Sequence, residues 1–521
     1  MISRANDVFF ARKAIVKPSV LLVVLLFQWL PLNAVAEWEL DWSAETIGQF
    51  RYFSETNESV DSVADSVSGS VSSATRELNQ KFLDQRYSEQ QIFPIINQSL
   101  GFSATNEDGD HLFVGDFFFH YDHYDEENRY ADIRELSWIY SFGDYQLRAG
   151  FSQVSWGVNE IFGIVDVINQ LDTQSWPSRT KLGQPLLSLA GYIGDSLLET
   201  FVMFDHRQRQ FSGENGRLRY PIPIDDKPVY DRGVTGRVDF AVRWQFTLFD
   251  TDISLSHFYG VSREPYFTFN FDFDKPRLVP VYEKINQPSI DITRNFGELL
   301  VKFEAKYEVG GLQSYAAYAG GVEYTLSGLF GTDFDTTIVF EAVYDTREEA
   351  NNNILNRDVG LALRVALNDR FDSVVLFAMI QDYEYDERLL LLHWRGSFYE
   401  HWRVDAIANV FHSNESAPDR DQYNETWVGV FDDIDSGVPE LPVELLSSLI
   451  ATFSDTTISR RDFEGLIHFI DDLTEPGGYK SSYAETIPDV LFELLSITDK
   501  SQKVNLIDTD DYVAISVSYL F

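Results

Sequence analysis

The 521-residue chain contains no cysteine. Without thiols there is no disulfide framework, no zinc–thiolate site and no thiol nucleophile. Basic residues are scarce too, 41 against 82 acidic ones, for a formal charge of −41. That sign excludes a nucleic-acid partner, whose phosphates would be repelled. The nine histidines stand at His111, His120, His123, His206, His257, His393, His401, His412 and His468. None lies in a nucleophile motif, and the chain has no G-x-S-x-G, no glycine-rich phosphate loop and no zinc-ligand spacing. No enzymatic activity, cofactor or metal is therefore assigned. The mature chain also lacks any apolar run of 18 residues, so no helical membrane span is expected.

What is present points to export. Arg4, Arg12, Lys13 and Lys17 form a basic lead, Val20 to Leu32 an apolar core containing Pro31, and Ala34 to Ala36 offer small residues at a cleavage position. Residues 1–36 read as a secretory signal peptide, with the mature chain over 37–521. An exported chain without a helical span is either soluble in the periplasm or a barrel in the outer membrane of a Gram-negative cell. Aromatics make up 15% of the residues, with 41 Phe and 26 Tyr, an enrichment that suits the aromatic girdles of a membrane barrel.

Alternation alone fits either a sandwich or a barrel; the number of alternating strands and their aromatic ends tip the balance. In "YQLRAGFSQ" Tyr145, Leu147, Ala149 and Phe151 share one face, with Arg148 on the other; in "RVDFAVRWQF" Val238, Phe240, Val242 and Trp244 oppose Arg237, Asp239 and Arg243. "LVKFEAKY" sets Val301, Phe303, Ala305 and Tyr307 against Lys302, Glu304 and Lys306, and "VGLALRVAL" sets Leu361 and Leu363 against Arg364. This is the period of two of a strand, repeated too often for one sandwich and ending again and again in Tyr, Trp or Phe. Short connections such as 142–145, 249–252 and 328–333 alternate with others that are usually longer, as in barrels with short periplasmic turns and long outer loops. The fold expected is an all-β, transmembrane antiparallel β-barrel of about 16–18 strands, with both termini in the periplasm. The last strand, "DYVAISVSYLF", alternates up to Phe521. A terminal Phe resembles the signal read by the barrel assembly machinery, which is the expected partner of this strand.

Two segments fall outside the wall. Residues 414–510 are acidic and carry apolar residues at helical spacing, such as Phe463, Leu466, Ile467 and Ile470, so a partly helical extracellular insertion is expected there. The stretch Trp156 to Asp172, "WGVNEIFGIVDVINQLD", is broken by Gly157, Asn159, Glu160, Gly163, Asp166 and Asn169 and reads as a long loop after the fifth strand. Its W-G-x-N-E and D-V-I-N-x-x-D elements resemble a porin-like family of Gram-negative outer-membrane proteins, sometimes associated with RND-type exporters. The resemblance spans roughly 110–310 and implies a channel or transport protein for solutes or lipophilic substrates. The acidic insertion is not a family feature. By analogy with porins the loop folds inward and narrows the pore; packing on the rim is the alternative.

Pore-lining or constriction candidates are Glu135, Arg148, Asn159, Glu160, Asp166, Asn169, Asp172, Arg237, Asp239, Arg243, Lys302, Glu304, Lys306, Glu323, Glu341, Arg364, Arg403 and Asp405. Outer-membrane lipids and lipopolysaccharide are expected partners, and the acidic loops, Asp125 to Glu127 among them, are candidates for loosely held divalent cations. Other functions compatible with the sequence are a plugged structural or adhesion barrel that binds through its acidic cap, and an outer-membrane partner of a lipid exporter.

Overall fold

The computed structural model describes residues 38–54, 90–173, 180–219, 223–230, 238–269, 277–310, 314–347, 355, 357–383, 387–413 and 511–521. The expected signal peptide and the insertion at 414–510 lie outside the described residues, and so does Arg237.

Eighteen strands form one antiparallel sheet that closes on itself. In chain order they are β1 Trp38–Phe53, β2 Ile92–Asn106, β3 His111–Asp122, β4 Tyr130–Phe142, β5 Tyr145–Ser152, β6 Gln184–Ile193, β7 Ser196–Phe204, β8 Val238–Leu248 and β9 Thr251–Val261. They continue with β10 Lys284–Phe296, β11 Leu299–Gly310, β12 Tyr315–Ser327, β13 Asp335–Asp345, β14 Asp358–Ala366, β15 Val374–Asp382, β16 Glu387–Phe398, β17 Trp402–Ser413 and β18 Tyr512–Leu520. Each barrel strand pairs with its chain neighbours, and β18 pairs with β1 from Glu45↔Leu520 to Phe53↔Tyr512. Closure leaves no free edge, which a sheet in hydrocarbon requires because nothing there can satisfy its backbone groups. The sequence allows 16 to 18 strands; the structure has 18 among the described residues.

Burial separates the two faces as the alternation requires. Val301, Phe303, Phe340, Leu361, Leu363, Phe377, Leu392 and Ile515 stay exposed on the outside. Their sequence neighbours Lys302, Glu304 and Glu341 are among the most buried residues of the chain. A polar inside and an apolar outside is the reverse of a soluble sandwich. Exposed aromatics gather at both ends of the outer surface, Phe142, Tyr145, Trp244, Phe296 and Trp402 at one and Tyr52, Tyr121, Tyr259, Tyr307 and Tyr344 at the other. A closed barrel with an apolar belt between aromatic rims is an outer-membrane β-barrel.

The short turns lie at the rim shared by both described ends of the chain, because Trp38 pairs with Asn106 at the 107–110 turn and Leu520 N–H donates to the His401 carbonyl. Phe521 donates its N–H to the Ala44 carbonyl at 2.9 Å and stacks edge-on against Tyr519. It therefore sits on the outer aromatic rim of that end.

Candidate functional site

Inside the barrel the dominant object is the connection between β5 and β6. It runs inward and crosses to β11 and β13, six and eight strands away around the wall. Two wall carboxylates receive it. Glu304 on β11 accepts the backbone N–H groups of Val158 (2.6 Å), Asn159 (2.8 Å), Ile164 (2.8 Å) and Val165 (3.2 Å). Glu341 on β13 accepts those of Glu160 (2.9 Å), Ile161 (2.8 Å) and Phe162 (3.1 Å). The seven donors are those an irregular loop cannot satisfy by itself, and in a buried setting each needs a partner.

Local sequence makes the approach possible. Gly157 sits at φ +92, a left-handed conformation costly for other residues, and a Cβ there would lie 2.7 Å from Glu304 Oε1. Gly360 on β14 leaves room for the loop tip, since a Cβ would meet Ile161 Cδ1 at 2.8 Å. Phe162 packs on Ala319 and Val343 of the wall. The near half of the loop is held by Trp156, Val165, Val167 and Ile168, which form an apolar core with Leu186, Phe201, Met203, Ala241, Phe258 and Ile285. The W-G-x-N-E stretch thus carries an anchor, a turn and three pinned amides.

The tip presents a mixed-charge cluster. Lys302 Nζ lies 3.0 Å from Glu323, 3.5 Å from Glu341 and 3.8 Å from Glu160. Arg364 lies 4.0 Å from Glu160 and 3.9 Å from Glu323. Lys302 is buried, while the side chains of Glu160 and Arg364 keep 48% and 47% exposure and face what remains of the lumen.

Other candidates have different tasks. Asn169 is structural: its amide donates to the Ser152 and Leu182 carbonyls and accepts from Val154 N–H. Asp166 pairs with Lys181, and burial pushes its carboxyl upward while Lys181 opposes the shift. Asp172 accepts from the Tyr130 hydroxyl. Glu135 accepts from Ser137, Ser152 and the Gln153 N–H. Asp239 pairs with Arg263 at 2.9 Å, and Arg243 with Asp291 at 3.1 Å. Lys306 lies 3.7 Å from Glu308. Arg403 contacts Glu45 and Asp405, and Asp405 also binds His393 (2.8 Å) and Arg395 (2.7 Å). Arg148 is half-buried on the luminal face. The structure thus gathers Glu160, Lys302, Glu323, Glu341 and Arg364 into one cluster, keeps Asn159, Asp166, Asn169 and Asp172 in the β5–β6 connection, and spreads the other described candidates along the wall.

Sequence reasoning did not anticipate how far other loops enter the lumen. Leu218, in the connection between β7 and β8, packs with Phe53, Phe93, Leu389, Phe411 and Tyr512 on the β1–β2 and β16–β18 wall, and Arg217 lies over the Phe53 ring at 4.5 Å. Asp125, read as a candidate cation ligand, is buried and accepts the Gly213 N–H at 2.8 Å. Burial pushes its carboxyl upward against that hydrogen bond. Arg209 and Arg263 tie the connections together: Arg209 binds Gln170 and the Arg263 carbonyl, and Arg263 binds the Ile168 carbonyl. Arg347 reaches Glu264 at 3.1 Å. Burial opposes the Glu264 charge, but Arg347, Lys306 and Arg209 outweigh it and hold the carboxyl well below the usual range. No periodicity marks these residues, because loops have none.

No family model matches the chain, and no curated protein matches it. Among solved structures it is similar to a BenF-like porin from Pseudomonas fluorescens Pf-5, at 9% identity and TM-score 0.41 over 73% of this chain and 94% of that one. It is also similar to OccAB1 of Acinetobacter baumannii, at 7% identity and TM-score 0.40 over 72% and 91%. A third is Wzi of Escherichia coli, an outer-membrane protein involved in group 1 capsule assembly and a carbohydrate-binding barrel, at 11% identity and TM-score 0.41 over 76% and 85%. At such low identity and TM-score, nothing about function is transferred from any of them.

Proposed function

We propose that this barrel is a loop-constricted channel that passes small solutes across the outer membrane. The observation that carries this reading is the pinned loop tip, with half-exposed Glu160 and Arg364 4.0 Å apart beside a buried lysine and two further carboxylates. Charges so placed stay solvated and exchange partners at low cost, as a polar passage needs. A barrel of 18 strands is wide enough for an aqueous lumen, and the inward loop reduces it to a restrictive path. The C-terminal strand ending in Phe521 is delivered to the barrel assembly machinery, and divalent cations bridge the acidic outer loops to lipopolysaccharide.

Planar-bilayer recording of the purified protein tests the reading. Wild-type protein should give small, discrete conductance steps, and removal of residues 158–164 should enlarge them severalfold. A second reading is supported by the Leu218 cluster: the loops seal the lumen, and the barrel serves as a scaffold. Absence of conductance in the wild-type protein and in the loop deletion would favour it.

A further inference from the structure

Lumen walls of wide barrels are polar, because they face water. The walls from β8 to β11 follow that rule with Asp239, Arg243, Ser254, Ser256, Asp291 and Lys302. The sector β15–β17 departs from it only over an apolar track bordered by His393, Asp405 and the buried Asn409. Ile380 and Ala378 of β15 pair with Leu389 and Leu391 of β16, and Leu376, His393 and Ile407 form the next row across the three strands. These side chains face inward: Ile380 touches the Phe162 cluster, and Ile380 and Ile407 both touch the Leu218 cluster. Leu376, Ala378, Ile380, Leu391 and Ile407 are only partly buried. Four residues of strand separate Leu376 from Ile380, so the apolar track is about 13 Å long at about 3.3 Å per residue.

The inner end of the track is flanked by cations. Arg364 on β14 pairs in register with Leu376, and Arg395 stands one row lower, opposite Val374. Their side chains keep 47% and 49% exposure. Glu160 and Glu323 stand near the first and Asp405 binds the second, so each guanidinium has a carboxylate beside it and keeps about half of its surface exposed.

We infer that this sector binds a single-chain anionic amphiphile, its alkyl tail of about ten carbons along the track and its head between Arg364 and Arg395. Water-facing apolar surface is costly, and a hydrocarbon tail removes that cost. The inference deepens the channel reading and rests on it for its biological sense, but the binding itself is measured separately.

The test is photolabelling of the full-length protein in nanodiscs with a ten-carbon alkyl-diazirine carboxylate, mapped residue by residue. Labelling is expected at Leu376, Leu391 and Ile407, competed by decanoate. Competitor potency should fall about fourfold per methylene from decanoate to hexanoate. The Arg364→Ala/Arg395→Ala protein should require several times more decanoate than wild type. Labelling confined to the lipid-facing Phe377, Leu392 and Val410, or a flat chain-length series, overturns the inference. Luminal labelling without bilayer conductance overturns the channel reading alone. Conductance with lipid-face labelling alone overturns this inference and leaves the channel.

Discussion

Replacing Glu304 by Ala should release the luminal loop while the barrel stays closed. Glu304 is fully buried and accepts four backbone N–H groups at 2.6 to 3.2 Å. Truncation leaves these donors without an acceptor, and an orphaned buried donor costs about 1–3 kcal/mol. Four of them sum to ~4–12 kcal/mol if the loop stays put, so it will move instead. Glu304→Gln should be milder. Its amide keeps one oxygen for two donors and turns an NH2 group toward the other two, a cost of ~2–6 kcal/mol. At about 1.4 kcal/mol per tenfold, even the lower figure raises the released population more than tenfold. Hydrogen exchange of the peptide covering 153–173 reads the effect directly. Amides 158–165 should be protected in wild type, exchange faster in Glu304→Gln, and exchange fastest in Glu304→Ala. Unboiled samples should still migrate as folded barrels on electrophoresis. The hydrogen-bond account is wrong if amides 158–165 remain as protected in Glu304→Ala as in wild type.

Gly360→Leu should displace the same tip from the opposite direction, through the clash at Ile161, and enlarge bilayer conductance; unchanged conductance would deny the contact. Leu363→Arg should lower barrel stability in a urea titration by about 2–4 kcal/mol near the bilayer midplane, while the neighbouring luminal Arg364→Gln is tolerated; equal costs would mean that the two faces do not differ in environment. In intact cells an impermeant maleimide should label Lys227→Cys and spare Asp333→Cys, both exposed positions, and the reverse pattern would invert the topology. The Glu264 carboxyl is depressed by Arg347, Lys306 and Arg209, so its contribution to holding the outer loops is complete above the ordinary carboxylate range and is lost only as pH falls below that range. Protection factors at residues 262–266, corrected for the intrinsic pH dependence of amide exchange, should therefore not change between pH 7 and 5, whereas Glu264→Gln should lower them throughout. Acidic outer segments should make the pore weakly cation-selective at low salt and lose that effect once the Debye length shrinks to about 3 Å near 1 M; reversal potentials under a KCl gradient decide it.

The barrel was legible in the sequence because strand periodicity is local. Val301, Phe303 and Tyr307 against Lys302, Glu304 and Lys306 already declare two faces, and the eighteen strands observed fall within the 16–18 expected. The broken pattern of Trp156 to Asp172 likewise excluded that stretch from the wall. Its depth was not legible. Whether the loop enters the lumen depends on acceptors 139 to 181 residues away, and nothing local to "WGVNEIF" names Glu304 or Glu341 as the carboxylates that take its amides. The same holds for Leu218 meeting Phe53, and for the clustering of Arg364 with Glu160. Alternation sorts residues by face, whereas the meeting of two faces across a lumen is settled only when the sheet closes. The sequence by itself determined a closed wall with a polar inside and an interrupted loop after the fifth strand; tertiary structure alone decided which charges the loop meets, because those contacts arise from closure and not from any local period.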